Sequence, residues 1–264
     1  MSGVEIRLRH LFDPETGRSL ITAYDHGQSM PMPVEPGRRP LELLKKVIDG
    51  GPDGVLVNPG ILRNGGELFA PRNAPVAVLR ADWTYLDARW KAELGEHYRV
   101  LTTPAEALAL GAGAICMYLI GRPMDGGIMA DNVAAVAKAA HEAHRVGIPL
   151  IVEGTLWGLR NTDQKDPEYL QMVCRLAVEC GADAIKTEYL GSEEAMTGLI
   201  AACGEVPVLT LGGAKGDAHA VKSAADGAIK AGAKGLIFGR NIWNTDDPVA
   251  TTKSLRGIVH GKAA

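Results

Sequence analysis

The sequence predicts one α/β domain folded as a (β/α)₈ barrel, the TIM barrel fold. Three observations lead to this prediction. Short aliphatic runs alternate with longer segments of helical periodicity from about residue 20 onward, the runs number eight, and no linker-like stretch interrupts them. The length of 264 residues suits one such barrel. We expect a single domain over residues 1–264, with the barrel proper at about 20–262. An open doubly wound sheet is the alternative that periodicity leaves open.

The predicted strands are rich in β-branched and aliphatic residues, as strands of a parallel sheet covered on both faces are. They occupy residues 20–24, 54–57, 76–80, 114–119, 149–153, 182–186, 206–211 and 236–238. Shortly before four of these strands stand Gly111, Gly147, Gly181 and Gly232. A glycine at such a place indicates the end of a helix, a tight turn and the start of the next strand.

The predicted helices fill the intervals between the strands, and several begin at proline or aspartate. They occupy residues 40–49, 104–110, 131–146, 167–180, 192–202, 219–231 and 248–260. The helix expected after Asn58 is poorly marked in the sequence. Segments 28–39 and 85–103 are long for loops between a strand and a helix, so we expect them to cover or flank the active face.

Composition and charge exclude several classes of partner. The net charge is -3, and acidic and basic residues are mixed along the chain, so there is no basic stripe for a nucleic acid. No run of about 18 apolar residues occurs, and no apolar segment follows the basic N-terminal residues. The cysteines and histidines lack the spacing of a metal site. We expect a soluble cytoplasmic protein with no metal, membrane or nucleic-acid partner.

Lys186 is the first candidate catalytic residue, because functional side chains of such barrels lie at the C-terminal ends of the strands. It ends the apolar run of the sixth predicted strand. Desolvation and neighbouring cations at a barrel mouth favour an uncharged, nucleophilic amine, which suits Schiff-base formation with a ketone. The alternative is a structural lysine that extends to solvent or pairs with Glu188 or Glu153.

A phosphate site is predicted after the seventh and eighth strands, where Gly212, Gly213 and Gly239 follow apolar runs and Arg240 comes next. Residues without side chains let backbone N–H groups approach an anion, and barrels commonly bind phosphate at these two loops. A single glycine pair would be weak evidence, because turns need glycine in any case. Two such sites on successive strands favour a functional interpretation.

Other polar side chains are expected at the same rim. Asp25, after the first strand, can orient substrate hydroxyls, pair with Lys186 or move a proton, although an Asx turn is the simpler alternative. Tyr118 and Glu153 lie near the ends of the fourth and fifth strands and are further candidates for proton transfer. His26 and Trp157 are candidates for substrate binding. We expect all of these side chains to converge on one pocket.

Four segments carry a resemblance to a known family. They are Asp25-His26-Gly27, Gly181-Ala182-Asp183-Ala184-Ile185-Lys186, Gly212-Gly213-Ala214-Lys215 and Gly239-Arg240-Asn241-Ile242-Trp243. Together they resemble the archaeal-type class I fructose-bisphosphate aldolases, a family that includes synthases of amino-deoxy-heptulosonate phosphates and the phospho-autoinducer thiolase. The resemblance runs from about residue 20 to 260.

The resemblance implies a role for each of the candidates at the rim. Lys186 would form the Schiff base, and Asp25 would be the active-site carboxylate of the first strand. The phosphate site would consist of Gly212, Gly213, Gly239 and Arg240. The family commonly assembles into homo-oligomers such as decamers, so an oligomer is implied here too.

One segment departs from the family pattern. The fructose-bisphosphate aldolases carry a Trp-Ser-Tyr-type segment at the end of the fifth strand, whose tyrosine transfers a proton, whereas this chain has Glu153-Gly154-Thr155. A threonine hydroxyl has no accessible pKa for that task, so we expect Glu153 or Tyr118 to take it over. The thiolase also lacks this tyrosine, and residues 186–189 and 247–250 are more similar to it than to the sugar aldolases.

The sequence therefore predicts a class I aldolase, free of metal and cofactor, that acts on a phosphorylated ketose with dihydroxyacetone phosphate as one fragment. Two alternatives stay open. One is a thiolase that transfers an acyl group from a phosphorylated hydroxy-dione to coenzyme A. The other is a phosphosugar isomerase that moves protons without a covalent intermediate.

Overall fold

Short runs of buried aliphatic residues form the strands of the structure, a computed structural model that describes residues 1–30 and 39–261. In chain order the strands are β1 (Ser19–Ala23), β2 (Gly54–Val57), β3 (Val76–Arg80), β4 (Asp82–Thr84), β5 (Tyr98–Val100), β6 (Ala114–Ile120), β7 (Leu150–Thr155), β8 (Ala184–Glu188), β9 (Val208–Leu211) and β10 (Gly235–Phe238). Eight of them close into a parallel barrel in the order β1, β10, β9, β8, β7, β6, β3, β2. The predicted (β/α)₈ barrel is confirmed, and the open sheet is excluded.

Helices pack around the outside of this barrel. In chain order they are α1 (Gly3–Leu11), α2 (Pro40–Asp49), α3 (Pro59–Asn64), α4 (Ala88–Leu94), α5 (Pro104–Ala109), α6 (Gly126–Val146), α7 (Pro167–Glu179), α8 (Glu193–Cys203), α9 (Ala218–Lys230), α10 (Arg240–Trp243) and α11 (Pro248–His260). The poorly marked helix after Asn58 is α3. Helix α6 begins at Gly126 rather than at 131, because the Asp125 side chain accepts from the Gly127 N–H and caps an earlier turn.

The N-terminal helix α1 was not predicted. Its start is fixed by a capping box, in which the Ser2 hydroxyl and the Glu5 carboxylate each bind the other residue's backbone N–H. Its last residue, Leu11, is fully buried and packs with the inward side chains of the strands, among them Ile21 and Leu56. The helix therefore closes the end of the barrel opposite to the C-terminal ends of the strands.

Segment 85–103, which is long for a loop between a strand and a helix, contains secondary structure of its own. Strands β4 and β5 pair antiparallel outside the barrel, and α4 lies between them. Asp87 caps α4 by accepting from the N–H groups of Arg89 and Trp90. Segment 28–39, the other predicted cover, lies largely outside the described residues.

Strand β8 extends two residues beyond its predicted end at Lys186. The Thr187 hydroxyl donates to the Gly154 carbonyl at 2.9 Å and fixes this last part of β8 to β7. Lys186 therefore lies within the strand rather than at its rim, and Glu188 takes the rim position above it. In residues 1–30 and 39–261, no helix is long and apolar enough to span a bilayer.

Candidate active site

Lys186 faces the interior of the barrel and is only 5 % exposed. The parallel register between β7 and β8 places it beside Glu153, which also faces inward. Its Nζ lies 2.7 Å from Glu153 Oε1, so the amine donates directly to the carboxylate. The lysine does not extend into solvent. It pairs with Glu153, which is one of the two partners that the structural interpretation allowed, but both side chains also line a cavity.

Arg80 holds the two carboxylates predicted for this site. It ends β3 and is 1 % exposed. Its Nε donates to Asp25 Oδ2 at 2.8 Å, and its Nη2 donates to Glu153 Oε2. The sequence placed Arg80 at a strand end but gave it no role. Its contacts with Asp25, after β1, and with Glu153 of β7 could not be predicted without the order of strands around the barrel.

Electrostatic effects hold Asp25 in its ionised form. Burial raises the pKa of Asp25, but the charges of Arg80 and Lys186 outweigh that effect and bring the pKa down to about 2. His26, by contrast, is held in its uncharged form. Burial lowers the pKa of His26 to about 4, despite the attraction of Asp25, so the imidazole is neutral at neutral pH.

Tyr118 is buried beside Arg80. The Arg80 guanidinium carbon lies 3.8 Å from the centroid of its ring, a cation–π contact. Burial raises the pKa of the Tyr118 hydroxyl well above its usual value. Asp82 lies nearby, with Oδ2 accepting from the Tyr118 backbone N–H at 2.7 Å and Oδ1 3.6 Å from Arg80 Nη1. Burial raises the pKa of Asp82 to about 7, although Arg80 opposes the shift.

A cavity of about 350 Å³ opens above Lys186 at the C-terminal ends of the strands. The predicted site residues that line it are Lys186, Glu153, His26, Trp157, Gly212, Gly213, Gly239 and Arg240. Asp25 and Tyr118 are not among the described residues of the lining. The structure therefore brings the lysine, one carboxylate and the whole predicted phosphate site together, whereas Asp25 is buried outside the described lining and is connected to Glu153 through Arg80.

The predicted phosphate site needs its glycines. A Cβ at Gly212 would lie 2.9 Å from the Phe238 ring, and a Cβ at Gly239 would overlap the His26 ring. Asn241 shapes the loop, since its Nδ2 donates to the Gly212 carbonyl at 2.6 Å. Arg240 Nε is buried and has no hydrogen-bond partner among the described residues. An unpaired cationic donor beside open backbone suits an anion.

Residues 19–245 match the family described as DeoC/LacD family aldolase. The chain belongs to this family. It is accordingly an enzyme of the carbon–carbon lyase class, and the resemblance drawn from its sequence motifs is confirmed.

Known relatives of this aldolase have several activities. It is 32 % identical over 267 residues to an uncharacterized aldolase of Saccharolobus solfataricus, covering 100 % of this chain and 96 % of the relative. It is 29 % identical to 2-amino-3,7-dideoxy-D-threo-hept-6-ulosonate synthase 1 of Archaeoglobus fulgidus, covering 94 % and 88 %. It is also 29 % identical to fructose-bisphosphate aldolase class 1 of Thermoproteus tenax, covering 93 % and 90 %.

A solved structure with the same fold carries a covalent intermediate. It is an archaeal fructose-1,6-bisphosphate aldolase whose catalytic lysine is bound to the carbinolamine of the substrate. The two chains superpose with a TM-score of 0.81 at 25 % identity, covering 98 % of this chain and 100 % of the other. Schiff-base chemistry on a lysine thus occurs within this fold and family.

Two further charged residues of the aldolase line the cavity. The sequence indicated Glu188 only as an alternative partner of Lys186, and it did not single out Lys91. Glu188, beside Leu211 in the register of β8 and β9, lies next to the predicted phosphate site. Burial raises the pKa of Glu188, and Trp157 Nε1 approaches its Oε1 at 3.4 Å. Lys91 of α4 donates from Nζ to the Trp157 carbonyl at 2.7 Å. The prediction that segment 85–103 flanks the active face is therefore confirmed.

Within the described ranges, no three His, Cys, Asp or Glu side chains are grouped so that they could hold a metal ion. The charged side chains that line the cavity are instead Lys91, Glu153, Lys186, Glu188 and Arg240. The arrangement offers an amine beside a carboxylate at one end and an anion site at the other.

Proposed function

We propose that the enzyme is a class I aldolase that cleaves or forms a carbon–carbon bond in a phosphorylated ketose, with dihydroxyacetone phosphate as one fragment. Lys186 forms the Schiff base, and the reaction needs neither a metal nor an organic cofactor. The observation that carries this proposal is the contact of 2.7 Å between Lys186 Nζ and Glu153 in the wall of a cavity that also contains Gly212 and Arg240.

The substrate binds with its phosphate against Gly212, Gly213, Gly239 and Arg240, so that its carbonyl carbon approaches Lys186. Glu153 takes a proton from the amine, which then adds to the carbonyl to give a carbinolamine. Loss of water gives an iminium ion. In the cleavage direction the iminium accepts the electron pair of the adjacent carbon–carbon bond while the departing aldehyde's hydroxyl loses its proton. The resulting enamine is protonated on carbon, and water then hydrolyses the iminium and regenerates Lys186.

Glu153 is the residue best placed to move these protons. It touches the reacting amine and lines the cavity. Thr155, at the place of the family's tyrosine, is fully buried, and its hydroxyl has no hydrogen-bond partner in the described part of the chain. The pKa of Tyr118 is too high for efficient exchange at neutral pH. The geometry therefore favours the first of the two replacements that the sequence left open.

Trapping the Schiff base tests the proposal. Incubation with dihydroxyacetone phosphate and sodium borohydride should add one reduced adduct to the intact mass of the protein, while Lys186→Met gains none. A chelator should leave the adduct yield unchanged. An unaltered protein mass, combined with turnover of a ketose phosphate, would instead support the isomerase.

Two measurements separate the aldolase from the thiolase. Cleavage of a ketose phosphate at a rate independent of coenzyme A supports the aldolase. Cleavage that requires coenzyme A and yields an acyl thioester supports the thiolase. Each assay is run beside Lys186→Met as its matched control.

A further inference from the structure

Arg80 is a buried cation that the proposed reaction does not use directly. Its guanidinium contacts Asp25 through Nε and Glu153 through Nη2, and Glu153 in turn contacts Lys186 through its other oxygen. The segment after β1 and the strands β3, β7 and β8 are thereby joined in one chain of charges, Asp25 to Arg80 to Glu153 to Lys186. The first three members are deep enough that solvent screens them little.

We infer that Arg80 is a positioning residue that acts on Lys186 through Glu153. Arg80 holds the Glu153 carboxylate with one oxygen toward the Lys186 amine. It also partly neutralises the negative charge of that carboxylate, which makes it easier for Lys186 to lose its proton. This inference rests on the proposed function, in which Lys186 must become uncharged before it attacks a carbonyl.

The charges around the pair support this role. The groups that face Arg80 are Asp25, Asp82, Cys116, Tyr118 and Glu153. Asp25 and Glu153 also face Lys186, together with His26, Cys116 and Glu188. Without Arg80, the carboxylates of Asp25 and Glu153 would have Lys186 as their nearest cation, because His26 is neutral at neutral pH. An ammonium held by two carboxylates keeps its proton to a higher pH.

The shape of the side chain also matters. A guanidinium presents N–H donors in a planar fork, and here two of them reach carboxylates on different strands. The Tyr118 ring lies against the guanidinium at 3.8 Å and limits its movement. A lysine ammonium at position 80 could supply the charge but could not reproduce the fork. Arg80→Lys should therefore keep part of the effect.

Competitive labelling of Lys186 tests the inference without substrate. Trace acetic anhydride is reacted with the folded protein at a series of pH values, and the label on the Lys186 peptide is measured by mass spectrometry. Relative to the wild-type chain, the midpoint of Lys186 labelling should rise by about one pH unit in Arg80→Met and by less in Arg80→Lys. Midpoints that coincide in all three folded proteins would overturn the inference.

Arg80→Met leaves buried carboxylates without their partner, which destabilises the fold. A second set of variants keeps the inference testable if that protein does not fold. Glu153→Gln should lower the midpoint of Lys186 labelling, because the nearest anion is gone. In that background, Arg80→Lys should shift the midpoint much less than it does with Glu153 present. An equal shift in both backgrounds contradicts an action through Glu153. Circular dichroism of each variant verifies the fold.

The labelling result and the proposed function can fail separately. A shifted midpoint in a protein that forms no borohydride adduct contradicts the Schiff-base proposal alone. An adduct on Lys186, with midpoints that do not respond to Arg80, contradicts the positioning role alone.

Discussion

In the proposed reaction, Glu153 is the residue that moves protons. It contacts both the Lys186 amine and Arg80. Glu153→Gln keeps the size of the side chain but cannot accept a proton, so kcat should fall by about 10²- to 10⁴-fold. Steady-state kinetics on a ketose phosphate measures this loss.

The matched control is Thr155→Val, which removes a buried hydroxyl outside the described cavity lining while keeping its shape. Its kcat should stay close to that of the wild-type chain. If the threonine variant lost as much activity as the glutamine variant, proton transfer would have to be assigned to the position of the family's tyrosine.

Glu188 places a carboxylate beside the predicted phosphate site. Burial raises its pKa, so it is most repulsive to an anion in the alkaline range and less so in acid. Glu188→Gln should therefore tighten the binding of inorganic phosphate by about tenfold at pH 8 and by less at pH 5. Titration calorimetry at both pH values measures the effect.

The exposed Glu193→Gln on α8 is the control for removal of one negative charge. It should leave the affinity for inorganic phosphate unchanged at both pH values. A gain in affinity that is the same at pH 5 and pH 8 would contradict the role given to the Glu188 carboxylate.

Single residues at strand ends could be predicted from the sequence because the C-terminal ends of parallel strands meet at one face. This argument located Lys186, Gly212 and Arg240. It could not find the contacts of Arg80, since these depend on which strands are neighbours and on how deep each side chain lies. Asp25 was expected in the pocket for the same reason, but it is buried against Arg80 outside the described lining.

At the scale of elements, α4 fixes the loop after β7. Lys91 donates to the Trp157 carbonyl at 2.7 Å, and Glu96 accepts from the Leu159 N–H at 2.8 Å. Lys91→Met should release this loop, because a methionine side chain cannot donate to the carbonyl. Amide hydrogen exchange of the peptide covering residues 156–161 should become faster, whereas exchange in the barrel strands should not change.

The exposed Lys45→Met on α2 removes the same charge elsewhere and should leave that peptide unchanged. Unaltered exchange in the Lys91 variant would show that the loop is held by its other contacts.

Element boundaries were harder to predict than element types. Residues 187 and 188 are polar, so nothing in the sequence alone extends β8 past Lys186. The bond from Thr187 to the Gly154 carbonyl supplies the reason only in the folded barrel. Strands β4 and β5 have three residues each, too few to show a period. Helix α1 did carry a sequence signal, the Ser2 and Glu5 pair of its capping box.

Burial of charged groups lowers the free energy of unfolding of the whole molecule, and Asp82 is the clearest example. Its pKa of about 7 in the folded chain lies above the value of about 3.8 expected when unfolded. Between these values the folded protein holds a proton that the unfolded chain has released, so this group reduces stability as pH rises from about 4 to 7. Asp82→Asn does not titrate and lacks this decrease.

The difference in unfolding free energy, variant minus wild type, should therefore rise by about 2 kcal/mol from pH 5 to pH 8. Urea unfolding at the two pH values measures it. The exposed Asp131→Asn on α6 should show no such change. Parallel behaviour of Asp82→Asn and the wild-type chain would mean that Arg80 keeps Asp82 ionised throughout.

The fold as a whole followed from periodicity, because eight apolar runs with helices between them have few ways to bury both faces of a parallel sheet. The positive φ angles at Gly111 and Gly181, 89° and 98°, agree with the turns predicted there. Assembly into an oligomer, implied by the family resemblance, stays a prediction that light scattering can test.

Isotope exchange at the substrate carbonyl is the sharpest test of a Schiff base on Lys186. A Schiff base on Lys186 requires the ketone oxygen to leave as water, so dihydroxyacetone phosphate labelled with ¹⁸O at its carbonyl should lose the label far faster with the enzyme than with Lys186→Met. We expect the label to be lost in each turnover, as measured by mass spectrometry of recovered substrate. Retention of the label during turnover, at the spontaneous exchange rate, would contradict it.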